Sequence, residues 1–317
     1  MRAVFLDRES LDRGDLDFTA LDGMVNGLTS HERTHPQEVV DRLTGADIAI
    51  VNKVVLDQER LAQLPDLRLV CVAATGVNNV DLDACRAAGI RVTNCQGYGT
   101  DSVAQHAFAL MLALATRMPD YQRAVRRGDW GRSTQFCLLD YPIMELAGRT
   151  LGLVGKGTLG GRVAELASAF DMEVLQAQRP GGPAQSGRVP LERLLPQVDV
   201  LSLHCPLTDA TRGLIGAEEL ALMKPHALLI NTARGGLVDE HALADALRSG
   251  RLGGAGFDVL TEEPPRQGNA LLDPELPNLI VTPHSAWGSR EARQRIVAQL
   301  AENIAAYGSG EALRQIV

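Results

Sequence analysis

A strand-length apolar run, Thr150-Leu151-Gly152-Leu153-Val154, ends in Gly155-Lys156-Gly157-Thr158-Leu159-Gly160, and a helical pattern begins at once in Gly161-Arg162-Val163-Ala164-Glu165-Leu166-Ala167. Strand, G-x-G-x-x-G turn and helix in that order open a βαβ unit. Gly155 turns tightly off the strand, Gly157 lets the backbone approach a pyrophosphate, and Gly160 lets helix and strand pack closely. The helix start aims its unpaired N–H groups and the positive end of its dipole at the same place. With both flanking elements present, the stretch reads as a dinucleotide-binding turn.

A chain of 317 residues is long enough for about two domains. The net charge of -8 leaves no electrostatic footprint for nucleic acid or an anionic membrane. The N-terminus, Met1-Arg2-Ala3-Val4-Phe5-Leu6-Asp7, reads as a first strand followed by acids and not as a signal peptide. No apolar run approaches the roughly 18 residues of a membrane span. The five cysteines (Cys71, Cys85, Cys95, Cys137, Cys205) are scattered and form no C-x-x-C pair, so they are expected to be small buried hydrophobes in a reducing cytoplasm.

Apolar runs and helical spacing alternate along both halves. In the first half the pattern predicts strands over 3–6, 47–51, 67–73 and 90–93, with helices over 36–43, 57–62 and 81–88, the last capped by Gly89. In the second it predicts strands over 172–177, 198–203, 227–231, 254–258 and 279–282, with helices over 158–170, 191–195, 218–223 and 240–249. This rhythm implies parallel sheets covered by helices on both faces. His31-Glu32-Arg33-Thr34-His35 matches the H-E-x-x-H zinc pattern, but Pro36 follows directly, so a helix is expected to start there and no metal site is read. The stretch 94–101 suits a crossing between domains. The helix expected over 102–116 is apolar nearly all round, which demands several packing neighbours or a subunit interface. Trp130, Phe136, Leu138, Leu139 and Tyr141 lie in an aperiodic arm, suited to packing on a partner subunit or across its own domain. A last helix, over 290–307, follows the second domain and is free to return to the first.

An acid about 20 residues beyond the first glycine holds the ribose hydroxyls of NAD, whereas an arginine there suits a 2′-phosphate. At that point the chain reads Gln176-Ala177-Gln178-Arg179-Pro180, with Arg188 a little downstream. The missing carboxylate removes the repulsion against a phosphorylated ribose, and Arg179 is placed to bond it. This tilts the reading toward NADP(H); Gln178 bonding the ribose of NAD(H) remains the other reading.

Three candidates for chemistry fall just past strand ends, where open α/β sheets bind ligands: Arg234 in Asn231-Thr232-Ala233-Arg234-Gly235, Glu263 beyond Asp258, and His284 in Thr282-Pro283-His284-Ser285-Ala286-Trp287. A guanidinium grips a carboxylate bidentately, an imidazolium supplies a proton, and a carboxylate beside the imidazole orients it. That set serves a 2-oxo acid.

The segments 155–160, His204-Cys205-Pro206-Leu207-Thr208, Leu229-Ile230-Asn231-Thr232-Ala233-Arg234-Gly235, Asp258-Val259 with Glu263-Pro264, and Pro283-His284 resemble, in order and spacing, the D-2-hydroxyacid dehydrogenase family over essentially the whole chain. Softer features (Gln105-His106, the arm 135–142 and Pro283-His284-Ser285-Ala286-Trp287) resemble its glycerate dehydrogenase, or hydroxypyruvate reductase, group. The resemblance implies an α/β fold of two Rossmann-like parallel-sheet domains with a cleft between them. A flavodoxin-like substrate domain would span 1–98 plus about 288–317, and an NAD(P)-binding Rossmann domain 99–287. It implies a homodimer that reduces hydroxypyruvate or glyoxylate to D-glycerate or glycolate by hydride transfer. Arg234 would hold the substrate carboxylate, Glu263 would pair with His284, and His284 would be the general acid. Cofactor contacts are implied at Gly155, Lys156, Gly157, Thr158, Leu159, Gly160, Gln178, Arg179, His204, Cys205, Pro206, Thr211, Thr232, Ala233, Arg234, Asp258, His284 and Ala286. Substrate contacts are implied at Asn52, Lys53, Thr75, Gly76, Val77, Arg234 and His284. Many members carry glutamate at Gln105 and aspartate at Gln178. Another 2-hydroxyacid, formate or phosphite on the same scaffold, or a dinucleotide-sensing corepressor without turnover, are the alternatives.

Overall fold

In the computed structural model, which describes residues 1–183 and 185–317, short strands build two parallel sheets. The chain divides into Met1–Gly99 with Gly288–Val317 as one unit and Thr100–Trp287 as the other.

The first unit holds β1 (Ala3–Phe5), β2 (Leu28–Ser30), β3 (Ile48–Val51), β4 (Leu69–Val72) and β5 (Arg91–Thr93) in the order β2-β1-β3-β4-β5. Strands β1, β3 and β4 are buried at every position, as parallel strands covered on both faces must be. Strand β2 has no counterpart in the sequence reading. It is an edge strand with Thr29 and Ser30 exposed, so it lacks the apolar run that reveals a buried strand. The helix expected from Pro36 is split into a 3-10 turn, Pro36–Glu38, and an α-helix, Val39–Leu43. His35 caps the turn from outside, with extended backbone, so His31 and His35 do not share a helix. The C-terminal helix Arg290–Ser309 packs within this unit. Asn303 Nδ2 donates to the Asn94 carbonyl at 3.0 Å, and Ile316 N donates to the Val92 carbonyl at 2.7 Å.

The second unit holds β6 (Thr150–Val154), β7 (Glu173–Gln176), β8 (Val200–Leu203), β9 (Leu228–Asn231), β10 (Gly254–Phe257) and β11 (Leu279–Val281), ordered β11-β10-β9-β8-β6-β7. Past the end of β7, Ala177 and Val189 form a parallel bridge on its outer side. This extends the sheet toward the 3-2-1-4-5-6 order of dinucleotide-binding folds. Strand order reverses between β6 and β8, and ligands of open α/β sheets bind outside the carboxyl ends at such a point. The helix Thr100–Ala115 resolves its all-round apolarity inside this unit. Ala104, Ala107, Phe108, Leu110, Met111 and Leu114 are buried against the sheet and the helix Thr158–Ala169. The helix Met118–Arg126 precedes the arm, which opens with a short helix, Asp129–Arg132, before it turns irregular.

Among the described residues, no helix is long and apolar enough to cross a membrane, and no group of three His, Cys, Asp or Glu side chains is placed to hold a metal. The five cysteines are unpaired, with Cys71, Cys85, Cys95 and Cys205 buried.

Candidate active site

The turn after β6 is built on two close approaches. Gly155 has φ 94°, outside the range most side chains accept, and a Cβ on it would lie 2.7 Å from the His204 carbonyl oxygen. A Cβ on Gly160 would lie 2.2 Å from the Gly155 oxygen, so only glycine fits at that position of the first helical turn. Gly157 differs: a Cβ there meets nothing within 4 Å, and nothing in the chain itself excludes a side chain. That open space, at the start of the helix Thr158–Ala169, is where a pyrophosphate would pass.

Three buried polar atoms lie at or beyond strand carboxyl ends with no partner among the described residues: Gln176 Nε2 on β7, His204 Nδ1 after β8 and Thr232 Oγ1 after β9. Unmet buried donors and acceptors gathered at one sheet edge mark a place that a polar ligand completes. The residues thus fit a dinucleotide. Burial pushes the His204 imidazole down to about 4, so it is neutral near pH 7, and its Nε2 lies 2.8 Å from Ser202 Oγ. Thr211 Oγ1 donates to the Pro206 carbonyl at 2.7 Å and accepts from Thr208 N at 2.7 Å, which folds the loop after β8 into a fixed turn. Gln178 continues β7 and pairs by its backbone N–H with the Val189 carbonyl. Arg179 beside it is exposed, and among the described residues no carboxylate pairs with it or with Arg188.

The three chemical candidates lie beyond β9, β10 and β11, three neighbouring strands of this sheet. Asn231, fully buried, shapes the first loop: its Nδ2 donates to the Arg234 carbonyl at 2.8 Å and its Oδ1 accepts from Ala233 N at 3.0 Å. Arg234 is thereby presented exposed, while the backbone at Gly235 runs against Leu260, too close for a Cβ. The second loop is tied by Glu263 itself, whose Oε1 accepts from Leu260 N at 2.8 Å. The other oxygen, Oε2, lies 2.6 Å from Nδ1 of His284. A carboxylate only accepts, so Nδ1 carries hydrogen and Nε2 is the imidazole atom that gains and loses a proton.

Asp258, expected near the cofactor, is 1% exposed and spent on the chain. Its Oδ1 accepts from Thr282 Oγ1 at 2.6 Å and Ser285 N at 2.9 Å, and its Oδ2 from Ala286 N at 2.9 Å. It shapes the turn that carries His284. Asn231, Thr282 and Asp258's structural task were not singled out from the sequence; a polar residue closing an apolar strand is the signal that could have found them.

In the first unit, Asn52 and Lys53 follow β3 and the turn Thr75-Gly76-Val77 follows β4. Asp7, just past β1, gathers the former: its Oδ1 accepts from Asn52 N at 2.8 Å, and its Oδ2 from Lys53 N at 2.6 Å and Val54 N at 3.1 Å. Thr75 Oγ1 donates to the Cys95 carbonyl at 2.9 Å, and the Thr75 carbonyl accepts from Asn94 Nδ2 at 2.8 Å. Nothing in the sequence around Asp7 marks this task, since it stands as an acid after a short apolar strand.

An imidazole held by a carboxylate, on the sheet that carries a pyrophosphate turn, defines a dinucleotide-dependent oxidoreductase. The family model for "D-isomer specific 2-hydroxyacid dehydrogenase, NAD binding domain" matches residues 108–286. A glycerate dehydrogenase of Methylorubrum extorquens is 50% identical over 98% of this chain and 97% of its own length. A hydroxypyruvate reductase of Blautia hydrogenotrophica is 36% identical over 98% of each chain. Among solved structures, an acyclic imino acid reductase in complex with NADPH and D-Arg superposes with a TM-score of 0.84, at 30% identity over the full length of both chains. The chain belongs to the D-isomer specific 2-hydroxyacid dehydrogenase family, and its cofactor is a nicotinamide dinucleotide.

Proposed function

We propose that this enzyme reduces a small 2-oxo acid, hydroxypyruvate or glyoxylate, to D-glycerate or glycolate, with NADPH preferred over NADH. The observation that carries the chemistry is the 2.6 Å Glu263–His284 pair on the sheet edge that also presents Arg234. Reduced nicotinamide supplies the hydride when bound. Arg234 holds the substrate carboxylate through its planar fork of donors. His284 gives the proton on Nε2 to the oxygen of the carbonyl being reduced, while Glu263 fixes the ring through Nδ1. The names of the relatives favour hydroxypyruvate and glyoxylate. The exposed Arg179, next to Gln178 where an acid would repel a 2′-phosphate, favours NADPH.

The enzyme works as a homodimer in the cytoplasm. Tyr121 Oη donates to the Tyr141 carbonyl at 2.7 Å and Trp130 Nε1 to the Phe136 carbonyl at 2.9 Å, a frame that leaves Phe136 89% and Leu139 77% exposed. Apolar side chains so held out in a framed arm suit a second copy of the chain. Unpaired buried cysteines suit a reducing compartment.

The test is kcat/KM for a panel of 2-oxo acids, each with NADH and NADPH, beside the mass of the protein in solution. Turnover of hydroxypyruvate or glyoxylate with a lower KM for NADPH, in a dimer, is expected. Absence of turnover with every 2-oxo acid would return the chain to the sensing reading.

A further inference from the structure

Two side chains of the helix Thr100–Ala115 grip the turn that carries His284, one on each side of it. His106 Nε2 lies 2.9 Å from Thr282 Oγ1, and Ser102 Oγ donates to the Ala286 carbonyl at 2.6 Å. Ser102 and His106 are one helical turn apart, so both project from the same face of the helix. That helix is packed along its length into the core of the same unit, which makes it a rigid mount.

The turn needs holding. His284 has φ 51°, a left-handed backbone that a side chain other than glycine adopts at a cost. From inside, Asp258 accepts from Thr282 Oγ1, Ser285 N and Ala286 N. Donor accounting then fixes the state of His106. Thr282 has one hydroxyl hydrogen, and its shortest partner, Asp258 Oδ1 at 2.6 Å, is a buried carboxylate oxygen that can only accept. With that hydrogen committed to Asp258, Thr282 Oγ1 faces His106 as an acceptor, so His106 Nε2 must carry hydrogen and donate. A ring protonated on Nδ1 alone would instead compete with Asp258 for the same hydrogen.

We infer that Ser102 and His106 brace the His284 turn, with His106 acting as an Nε2–H donor to Thr282. Both are positioning residues for the reduction, and neither touches a reacting atom. The inference rests on His284 being the general acid. Loosening the brace displaces the imidazole from its line to the substrate oxygen and leaves the glycine turn, at the far side of the sheet's switch point, untouched. A displacement of about 1 Å at a reacting group costs on the order of 100-fold in rate.

The experiment compares His106→Leu, which cannot donate, with His106→Gln, whose amide can. His106→Leu is expected to lose about 10- to 100-fold in kcat for the 2-oxo acid. KM for that acid and the NADPH Kd, read by fluorescence without turnover, should change much less than kcat, because the pyrophosphate turn and Arg234 are left in place. His106→Gln should recover most of the lost kcat. Long-range 15N–1H NMR of the resting enzyme should show His106 protonated on Nε2. Thr282→Val, which removes the hydroxyl and with it both the His106 and the Asp258 bond, should lose at least as much kcat as His106→Leu and serves if that variant does not fold. Undiminished kcat in both His106→Leu and Thr282→Val, a His106→Gln no better than His106→Leu, a parallel loss of NADPH affinity, or protonation on Nδ1 alone would each overturn the brace. His284→Ala retaining reduction would remove the acid and the brace together. An inactive His284→Ala beside an unimpaired His106→Leu would remove the brace and leave the acid.

Discussion

Glu263 Oε2 sits 2.6 Å from His284 Nδ1, leaving Nε2 as the face of the ring that exchanges protons. Reduction consumes the Nε2 proton, so kcat/KM for reduction is expected to fall as pH is raised, and oxidation of the hydroxy acid, which needs the neutral ring, should show the opposite dependence. Rate profiles in both directions check this; a reduction rate that does not change with pH removes the acid role from His284. Glu263→Gln should lower kcat by about 10- to 100-fold with a smaller effect on KM, because the ring loses its anchor while the substrate keeps its carboxylate partner.

Arg234 is exposed on a loop that Asn231 shapes from below, so its removal should spare the fold. Arg234→Ala is expected to lower kcat/KM by at least about 100-fold, and Arg234→Lys to recover little, since a point charge does not replace a planar two-pronged donor. Unchanged kinetics in Arg234→Ala, with a thermal melt at the wild-type temperature, would contradict the carboxylate contact.

What the sequence made legible is what short spacing encodes. The glycine turn, the strand ends carrying Arg234, Glu263 and His284, and the cap at Gly89 (φ 69°) all follow from residues within a few positions of one another. Hidden were the contacts closed by tertiary folding. His106 meets Thr282 across 176 residues and Ser102 meets Ala286 across 184, and no periodicity announces either. Strand β2 was hidden for another reason: an edge strand with one partly buried residue has no hydrophobic signature to read. Asp258 showed its position but not its task, because a carboxylate at a strand end looks the same whether it meets a ligand or three donors of its own chain.

The glycines of the turn separate fold from ligand. Gly160→Ala places a methyl 2.2 Å from a backbone oxygen and should destabilise the apoprotein markedly, by about 2 kcal/mol or more. Gly157→Ala places one in open space, so the apoprotein should melt within a degree or so of wild type while the Kd for the dinucleotide rises at least about tenfold. Calorimetric binding beside thermal melts reads both; an unaltered Kd in Gly157→Ala would move the pyrophosphate elsewhere.

His204 gives the apoprotein a specific acid sensitivity. Its folded value of about 4 lies below the ordinary histidine value of 6.5. Between them the unfolded chain binds a proton that the folded chain, with the ring buried, does not. Stability from this group is complete above about pH 6.5 and is lost as pH falls toward about 4, by at most about 3 kcal/mol. Denaturant unfolding of the apoprotein across that window should show a steeper loss for wild type than for His204→Asn. Identical slopes would mean that His204 is not held neutral by burial.

Cofactor choice turns on the end of β7. Gln178 is fixed there by its backbone bond to Val189, and Arg179 beside it stands exposed with no carboxylate partner among the described residues. Placing a charge at 178 should therefore act on the ribose substituent and little else. Gln178→Asp repels a 2′-phosphate and accepts from the two ribose hydroxyls, so it should weaken NADPH by at least about tenfold and leave NADH equal or better. Arg179→Ala should weaken NADPH alone, and the loss should shrink as salt is raised, because an exposed ion pair is screened. Dissociation constants for both dinucleotides at two ionic strengths decide it. If Gln178→Asp weakens both equally, residue 178 does not face the ribose; if Arg179→Ala weakens neither, the preference for a phosphorylated ribose has no basis at this strand end.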